Sequence, residues 1–386
     1  MGRNAGPGMI RAARTIAIVA NGAFSIINFR GELISDMVGR GARVFALAPD
    51  FDEELRRKVR ELGAEPVDIE LDRMGMRPVA DVINTFKLRR KLRTLAPDIV
   101  FSYFLKPVVF GTLAAWLAGV PRRYALVAGL GYVFIEPSDG LTAKRRLLRR
   151  VVMGLCKLSF SRCHAVFFQN AQDLSHFVDA GVLGTDRAIL TDGTGVNLDH
   201  FVQSPLPEGA PRLLFVGRLL REKGIREFVD AAIITKQTRP DCEFVVAGDA
   251  DPNPGGIGLA EIEQLRALGV CSFLGHVDDI RIEIERCTIF VLPSYREGMP
   301  RSTQEALAMG RPIITTDAVG CRETVIAGGN GWLVPVGDAP ALADAMIAAV
   351  SAPRKLEAMA QASRALAENR FNVRTINAKL LDAMGV

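Results

Sequence analysis

The sequence predicts an α/β protein of two doubly wound domains, each a parallel sheet covered by helices on both faces. Three observations predict it: the length, a recurring alternation of short apolar runs with helical stretches, and one polar break after which the alternation restarts. At 386 residues the chain is long enough for two cores of roughly 150 to 200 residues each. Hydrophobic residues make up 49% and charged residues 24%, which excludes the disordered and fibrous classes.

The first series of runs is TIAIVA at 15, RVFALA at 43, DIVFSY at 98, YALVAG at 124 and AVFFQN at 165. Each is apolar at successive positions, as a strand buried on both faces must be; a half-exposed strand would alternate with polar residues. The connector at 203–211, QSPLPEGAP, is polar and Pro-rich. The alternation then resumes with RLLFVG at 212, EFVVAG at 243, CSFLG at 271, IFVLP at 289 and RPIITT at 311. Domains are therefore expected at 1–205 and 206–370. In such sheets ligands collect at the carboxyl ends of strands, so the expected site is the cleft across which the two domains face each other. The segment ADPNPGGIG at 250–258 reads as a mobile surface insertion.

Other features exclude classes. The apolar run from 15 to 20 is too short for a signal peptide and lacks a cleavage pattern. Two longer apolar windows are broken by Lys106-Pro107 and by Lys157 with Arg162, so neither reads as a membrane span. The six cysteines, at 156, 163, 242, 271, 287 and 321, form no CxxC and no zinc spacing, which implies a reduced intracellular protein without a metal. The 48 Lys and Arg against 43 Asp and Glu give a net charge of +5, suited to anionic ligands or surfaces. Nucleic acid is excluded as a partner, because binding motifs are absent and the 7% aromatics are not interleaved with basic runs.

Two constellations can carry chemistry. RLLFVG ends at Gly217 and Arg218, and Ile225, Phe228, Val229, Ala232 and Ile233 follow at helical spacing, so a helix begins near Gly224 with Arg218 and Lys223 at its amino end. Free N–H groups and the positive end of the helix dipole favour an anion there, and two cations suit a diphosphate; solvated surface charge is the alternative reading. The second constellation, YREGMPRSTQE at 295–305, places Glu297 and Glu305 eight residues apart around Pro300. A helix through both would separate them by about 12 Å along its axis, and Pro300 opposes a straight helix, so a facing acid/base pair of the glycosidase kind is disfavoured. Instead Glu297 can face a hydroxyl-bearing ligand, Gly298 and Met299 can offer N–H groups to a phosphate, and Glu305 can grip a diol. Ser302-x-x-Glu305 is also a capping-box pattern, in which the carboxylate would only satisfy the helix start.

Together these residues carry a family resemblance. Arg218 with Lys223, followed by Glu297-x7-Glu305, resembles the retaining nucleotide-sugar glycosyltransferases of family 4, glycosyltransferases group 1. VGRLLREKG, FVVAGD, FLGHVDD, PSYREGMP, ALAMGRPIITTD and GWLVPVGD stand in that family's order over nearly the whole chain. The resemblance implies a GT-B fold of two Rossmann-like domains, acceptor-side at 1–205 and donor-side at 206–370, with the final helix within 371–386 packing back on the first. It implies that Gly217, Arg218 and Lys223 hold the donor diphosphate, Glu305 the ribose and Glu297 the sugar, with Gly298, Met299 and Pro300 completing the site and Gly22 of the first βα loop near the diphosphate. Arg218, Lys223 and Glu297 would be the catalytic groups. No DxD or cofactor is called for, since protein cations can neutralise the leaving diphosphate and the departing phosphate oxygen can take the acceptor's proton. Where many relatives carry a histidine, this chain has Ala128-Gly129-Leu130-Gly131-Tyr132; His276, after FLG, is the histidine expected near the nucleotide. The GLGY segment looks like the bacterial branch acting on polyprenyl-diphosphate-linked saccharides in surface-glycan or glycoprotein assembly.

The segment at 141–163 holds seven Lys or Arg and no acid. Leu147, Leu148, Val151, Val152 and Leu155 are expected on one helical face, with Lys144, Arg145, Arg146, Arg149 and Arg150 crowding the first turns. Such a helix either rests on anionic lipid headgroups and receives a lipid diphosphate, or simply covers a sheet with its charges in water. FKLRRKLR at 86 adds a second basic cluster to the half in which the resemblance places acceptor recognition. The expected activity is transfer from a UDP-hexose or UDP-N-acetylhexosamine to an acceptor hydroxyl, in the cytoplasm at the inner face of a bacterial plasma membrane. The rivals are a nucleotide-sugar epimerase of the same fold and a non-catalytic, membrane-associated sugar-nucleotide-binding protein.

Overall fold

The computed structural model describes residues 14–72, 77–131, 134, 142–251 and 255–386. Tyr132, Leu141, residues 252–254 of the Gly/Pro-rich loop and the Gly/Arg stretch up to Ala13 lie outside them. Strands β1 (Thr15–Val19), β2 (Arg43–Ala48), β3 (Ala64–Asp68), β4 (Ile99–Tyr103), β5 (Arg122–Val127), β6 (Ala165–Phe168) and β7 (Ala188–Leu190) form a seven-stranded sheet in the order β3-β2-β1-β4-β5-β6-β7. Its connections carry α1 (Ala23–Gly39), α2 (Glu53–Glu61), α3 (Pro78–Leu95), α4 (Leu105–Ala118), α5 (Ala143–Phe160) and α6 (Ala171–Asp179).

Strands β8 (Arg212–Val216), β9 (Glu243–Ala247), β10 (Ser272–Gly275), β11 (Ile289–Leu292), β12 (Ile313–Thr316) and β13 (Gly331–Val334) form the second sheet, in the order β10-β9-β8-β11-β12-β13. With it come α7 (Ile225–Thr238), α8 (Leu259–Ala267), α9 (Ile280–Glu285), α10 (Arg301–Ala308), α11 (Ala339–Val350), α12 (Pro353–Arg370) and α13 (Val373–Met384). The strand pairs are parallel, as in β1 with β2 and β4, and β8 with β9 and β11. Both orders are doubly wound, so the expected α/β class is the observed one.

All ten apolar runs are strands. The three strands without such a run, β3, β7 and β13, are sheet edges, where one side of the strand has no neighbour. Their partial burial shows it: β7 has no buried residue, and β3 has Ala64 alone. Three of the four edge strands therefore lack the continuous apolar signature of a central one, and the fourth, β10, keeps only the short CSFLG run.

The chain groups into two compact units. One comprises the described residues up to Ala125, with Arg162–His164 and Leu381–Val386; the other comprises Leu126–Ser161 and Ala165–Leu380. The first has a core around Ala17, Val19, Phe45, Leu47, Leu88, Leu92 and Val100. Within it Arg40 donates to the Val386 carbonyl at 2.8 Å, which ties down the carboxyl end of the chain. The second has a larger core, in which Phe215, Phe228 and Phe244 stack edgewise or tilted between β8, α7 and β9. All six cysteines are buried and none forms a disulfide. No described helix is long and apolar enough to cross a membrane.

The basic helix α5 begins at the predicted place, capped by the Thr142 hydroxyl. Its buried face corrects the expectation. Val152, Cys156, Ser159 and Phe160 point inward, whereas Leu147 and Val151 are exposed together with Leu158. Arg149 is turned in, donating to the Phe134 carbonyl at 2.9 Å with its guanidinium over that ring. Lys144, Arg146 and Arg150 are exposed, and Arg145 is half-buried. The apolar arc is wide enough for two buried lines, and packing of the carboxyl-terminal turns selected the one through Val152.

Candidate active site

In the second sheet the strand order reverses between β8 and β11, and a doubly wound sheet opens a crevice at such a point. The loops leaving these two strands carry the predicted residues. After β8, Gly217 and Arg218 lead to a 3-10 turn at Arg221–Lys223 and to Gly224, which precedes α7. Gly224 has φ +74°, and a Cβ there would overlap the Pro293 carbonyl oxygen after β11, so only glycine allows the two loops to meet. They are joined further by Tyr295 N donating to the Glu222 carbonyl at 2.8 Å and by Ser302 Oγ donating to the Val216 carbonyl at 3.2 Å.

This brings Lys223 and Glu297 together as an ion pair, Nζ to Oε1, with both side chains mostly out of water. Glu297 N donates to the Val319 carbonyl at 2.9 Å, which fixes its backbone. The next two N–H groups, of Gly298 and Met299, donate to no acceptor among the described residues, and α7 and α10 start without side-chain caps. Unpaired N–H groups beside an ammonium form a ready anion site. Met299 itself is buried in the core, and Pro300 is the residue before α10, so the interruption expected at Pro300 is real.

Arg218 is half-exposed, with Nη1 2.8 Å from Asp251 Oδ2. Asp251 belongs to the loop expected to be a free insertion, and its described parts are not free. Leu219 N donates to the Asp249 carbonyl at 2.9 Å, Arg221 N to that of Gly255 at 2.8 Å, and Ile257 N to that of Leu219 at 3.0 Å. The loop thus backs the Arg218 segment, a role hidden because these bonds use backbone atoms.

The capping-box reading of Ser302 and Glu305 does not hold. Both lie inside α10, where Ser302 reaches Val216 and Glu305 accepts from Arg301 Nε at 2.8 Å, one helical turn away. Burial pushes the Glu305 carboxyl above its ordinary range, and Arg301 only partly opposes this. A buried carboxyl with one partner retains acceptor capacity for a ligand. His276 is exposed, with Nε2 3.4 Å from Asp278, and makes no described contact with the Lys223–Glu297 pair.

A second set of residues, unmarked by any motif, holds this loop. Asn170 and Asp173 open α6; Asn170 accepts from Asp173 N at 2.7 Å and donates to the Gly298 carbonyl at 2.6 Å. Asp173, fully buried, pairs with Arg296. Burial raises its pKa, against Arg296 and Asn170. Gly298 lies against the Gly129 turn: a Cβ on it would be 2.6 Å from Gly129 N and 2.8 Å from Gln169 Oε1. Gly195 N donates to Gln304 Oε1 at 3.0 Å. Every residue from Arg296 to Gly298 is therefore gripped. Only the Asn-x-x-Asp helix start after AVFFQ was available as a sequence signal, and it reads as an ordinary cap.

Gly22 lies in the other unit, at the reversal between β1 and β4. It precedes α1 with extended φ −175°, Ala23 N donates to Asp50 Oδ1 at 2.8 Å, and Ser25 Oγ is 2.9 Å from Tyr103 Oη. Burial pushes the Tyr103 phenol well up.

Two parallel sheets of this order, with a cation, a carboxylate and unpaired amides at the second reversal, make a doubly wound frame with a crevice suited to an anion. The glycosyl transferases group 1 pattern matches residues 210–352, and the glycosyl transferase 4-like domain matches residues 28–190. The chain belongs to this family and is a glycosyltransferase. It is 33% identical, over 80% of its length and 82% of the other chain, to the N,N'-diacetylbacillosaminyl-diphospho-undecaprenol alpha-1,3-N-acetylgalactosaminyltransferase of Campylobacter jejuni. Similarity to the capsular polysaccharide biosynthesis glycosyltransferase CapM of Staphylococcus aureus is 25% over 72% and 74% of the two chains. Among solved structures, Anabaena HepE in complex with UDP and glucose aligns with TM-score 0.75 and 17% identity over 97% of this chain and 99% of that one. Sucrose-phosphate synthase from Thermosynechococcus elongatus aligns with TM-score 0.74 and 18% identity over 95% and 97%. These likenesses show the GT-B fold.

Proposed function

We propose that the chain is a retaining glycosyltransferase that moves a hexose or N-acetylhexosamine from its UDP derivative to a hydroxyl of a polyprenyl-diphosphate-linked saccharide in bacterial surface-glycan or glycoprotein assembly. The observation that carries this reading is the Lys223–Glu297 pair at the β8/β11 reversal, with the free Gly298 and Met299 amides beside it. Lys223, Arg218 and those amides would take up the charge of the leaving diphosphate as the anomeric carbon–oxygen bond breaks. Glu297 would orient the sugar, and Glu305 the ribose hydroxyls. The acceptor oxygen would form the new bond on the face the diphosphate leaves, passing its proton to the departing phosphate oxygen. No cofactor enters this scheme, so transfer is expected to persist in EDTA.

The acceptor class is supported by the Campylobacter relative, whose name specifies a diphospho-undecaprenol-linked sugar. The cationic, partly apolar outer face of α5, with Leu147, Val151 and Leu158 among Lys144, Arg146 and Arg150, supports work against a lipid surface. We place the protein peripherally at the inner face of the plasma membrane. The test is a panel of nucleotide sugars offered to the purified protein with lipid-diphosphate saccharides, read by product mass, linkage and anomeric configuration. A retained α- or β-linkage matching the donor supports the reading; an epimerised donor without acceptor, or binding without turnover, defeats it.

A further inference from the structure

We propose that α3 seats its outer face on an anionic lipid bilayer, which deepens the reading above by naming where the acceptor's membrane meets the chain. Helix α3 buries Asp81, Thr85, Leu88 and Leu92. On its other side Val79, Val82, Ile83 and Phe86 are each 50% to 75% exposed. Their spacing of three, one and three residues places them on a single stripe of the helix. Isolated apolar side chains on a surface need no explanation, but four in a row on one helix mark an interaction face.

The stripe continues into charge. Arg90 and Arg93 lie four and seven residues beyond Phe86, on the same line, and their side chains have no partner among the described residues. The neighbouring cations are occupied: Lys87 pairs with Glu70, and Lys91 donates to the Asp68 carbonyl. Asp81, the one acid of the helix, is buried against Lys106 at 2.8 Å. The exposed line is thus apolar for two turns and then purely cationic. A bilayer presents those two chemistries together: acyl chains for Val82, Ile83 and Phe86, and phosphate headgroups for Arg90 and Arg93. A second copy of the same face would bring no carboxylate to meet the arginines.

Sedimentation of the full chain with vesicles, without substrates, tests this. Binding to vesicles containing phosphatidylglycerol should exceed binding to pure phosphatidylcholine. Ile83→Asp and Phe86→Asp should each lower the partition coefficient about ten-fold, and Arg90→Gln or Arg93→Gln about five-fold at low salt. Phe86→Trp should gain a blue-shifted emission on adding the anionic vesicles, a readout that needs no loss of binding. Transfer to a short-chain, detergent-free acceptor should be unaltered in Ile83→Asp. If vesicle binding is unchanged in these variants while transfer is intact, the inference falls and the proposed function stands. If binding follows α3 but no acceptor is glycosylated, the function falls and the inference stands. A wild-type dimer that Phe86→Asp splits, with no vesicle binding, would make this face a contact between copies and overturn the proposal.

Discussion

The two sheets reverse strand order at equivalent places, and the two reversals are furnished differently. At β1/β4 the nearby groups are Gly22, Ser25, Asp50 and Tyr103, joined by neutral hydroxyls and an N–H to carboxylate bond, with the buried Arg30 guanidinium stacked over the Tyr103 ring. At β8/β11 they are Lys223 and Glu297, with Arg218 held nearby by Asp251. The same topology supplies a crevice twice, and the loops and not the sheet decide what lines it: a buried arginine on a tyrosine ring at one, a lysine–glutamate ion pair at the other.

The comparison is broken most directly at Lys223. Lys223→Ala should lower kcat/KM for transfer about 10²- to 10³-fold while the protein stays folded, as measured by steady-state kinetics and circular dichroism. Glu305→Gln should also lose most activity through weaker donor binding. Unchanged donor affinity and turnover in both variants would remove the site from the second reversal.

A smaller loss is expected from the residues that grip the loop. Asp173→Asn leaves Arg296 without its buried partner and should cost about 3 kcal/mol of stability. Because Glu297 follows Arg296 directly, kcat should fall more than donor KM rises, by about 10²-fold if the loop shifts by an ångström. Equal stability and kinetics would show the pair to be incidental. Gly298→Ala should act similarly, since its Cβ must displace the Gly129 turn.

Acidity separates the two buried carboxyls from ordinary ones. Asp173 and Glu305 both have pKa values raised by burial, so the folded state holds their protons more tightly than the unfolded chain does. Their contribution to stability is complete below the ordinary carboxylate range and is lost as pH rises from there through the raised values. Denaturation curves across that window should therefore show Glu305→Gln gaining stability relative to wild type as pH increases. A constant difference would contradict the raised pKa.

The smallest effect is expected at the first reversal. Gly22 has an extended backbone, and a Cβ on it would stand 3.7 Å from Asp50 Oδ2, an ordinary contact. Gly22→Ala should shift stability by less than about 0.5 kcal/mol. A large rise in donor KM would instead show that this loop also reaches the diphosphate, and would narrow the contrast between the two reversals.

Central strands were legible because burial on both faces demands consecutive apolar residues, whatever their partners. Edge strands such as β7 were not, since one missing neighbour relaxes that demand. Of the expected site residues, whose spacing places charge around two helix starts, the fold brings Lys223 and Glu297 into an ion pair, while Arg218 meets Asp251 and Glu305 meets Arg301. What escaped were contacts between residues far apart in the chain: Asn170 with Gly298, Asp173 with Arg296, and Asp251 with Arg218. The outward line of α3 is hidden for a related reason: spacing alone does not say whether Val79, Val82, Ile83 and Phe86 or Leu88 and Leu92 turn inward, and packing buries the latter.

Local chemistry in the sequence alone thus determined the doubly wound class and singled out Lys223 and Glu297 as charges near helix starts, because backbone burial and helix-end electrostatics act over a few residues. Tertiary structure alone decided which face of α3 and α5 turns inward, which ion pairs close, and how the Arg296–Gly298 segment is held. Those choices depend on what each side chain meets after the chain has folded, and sequence spacing does not encode the identity of a partner a hundred residues away.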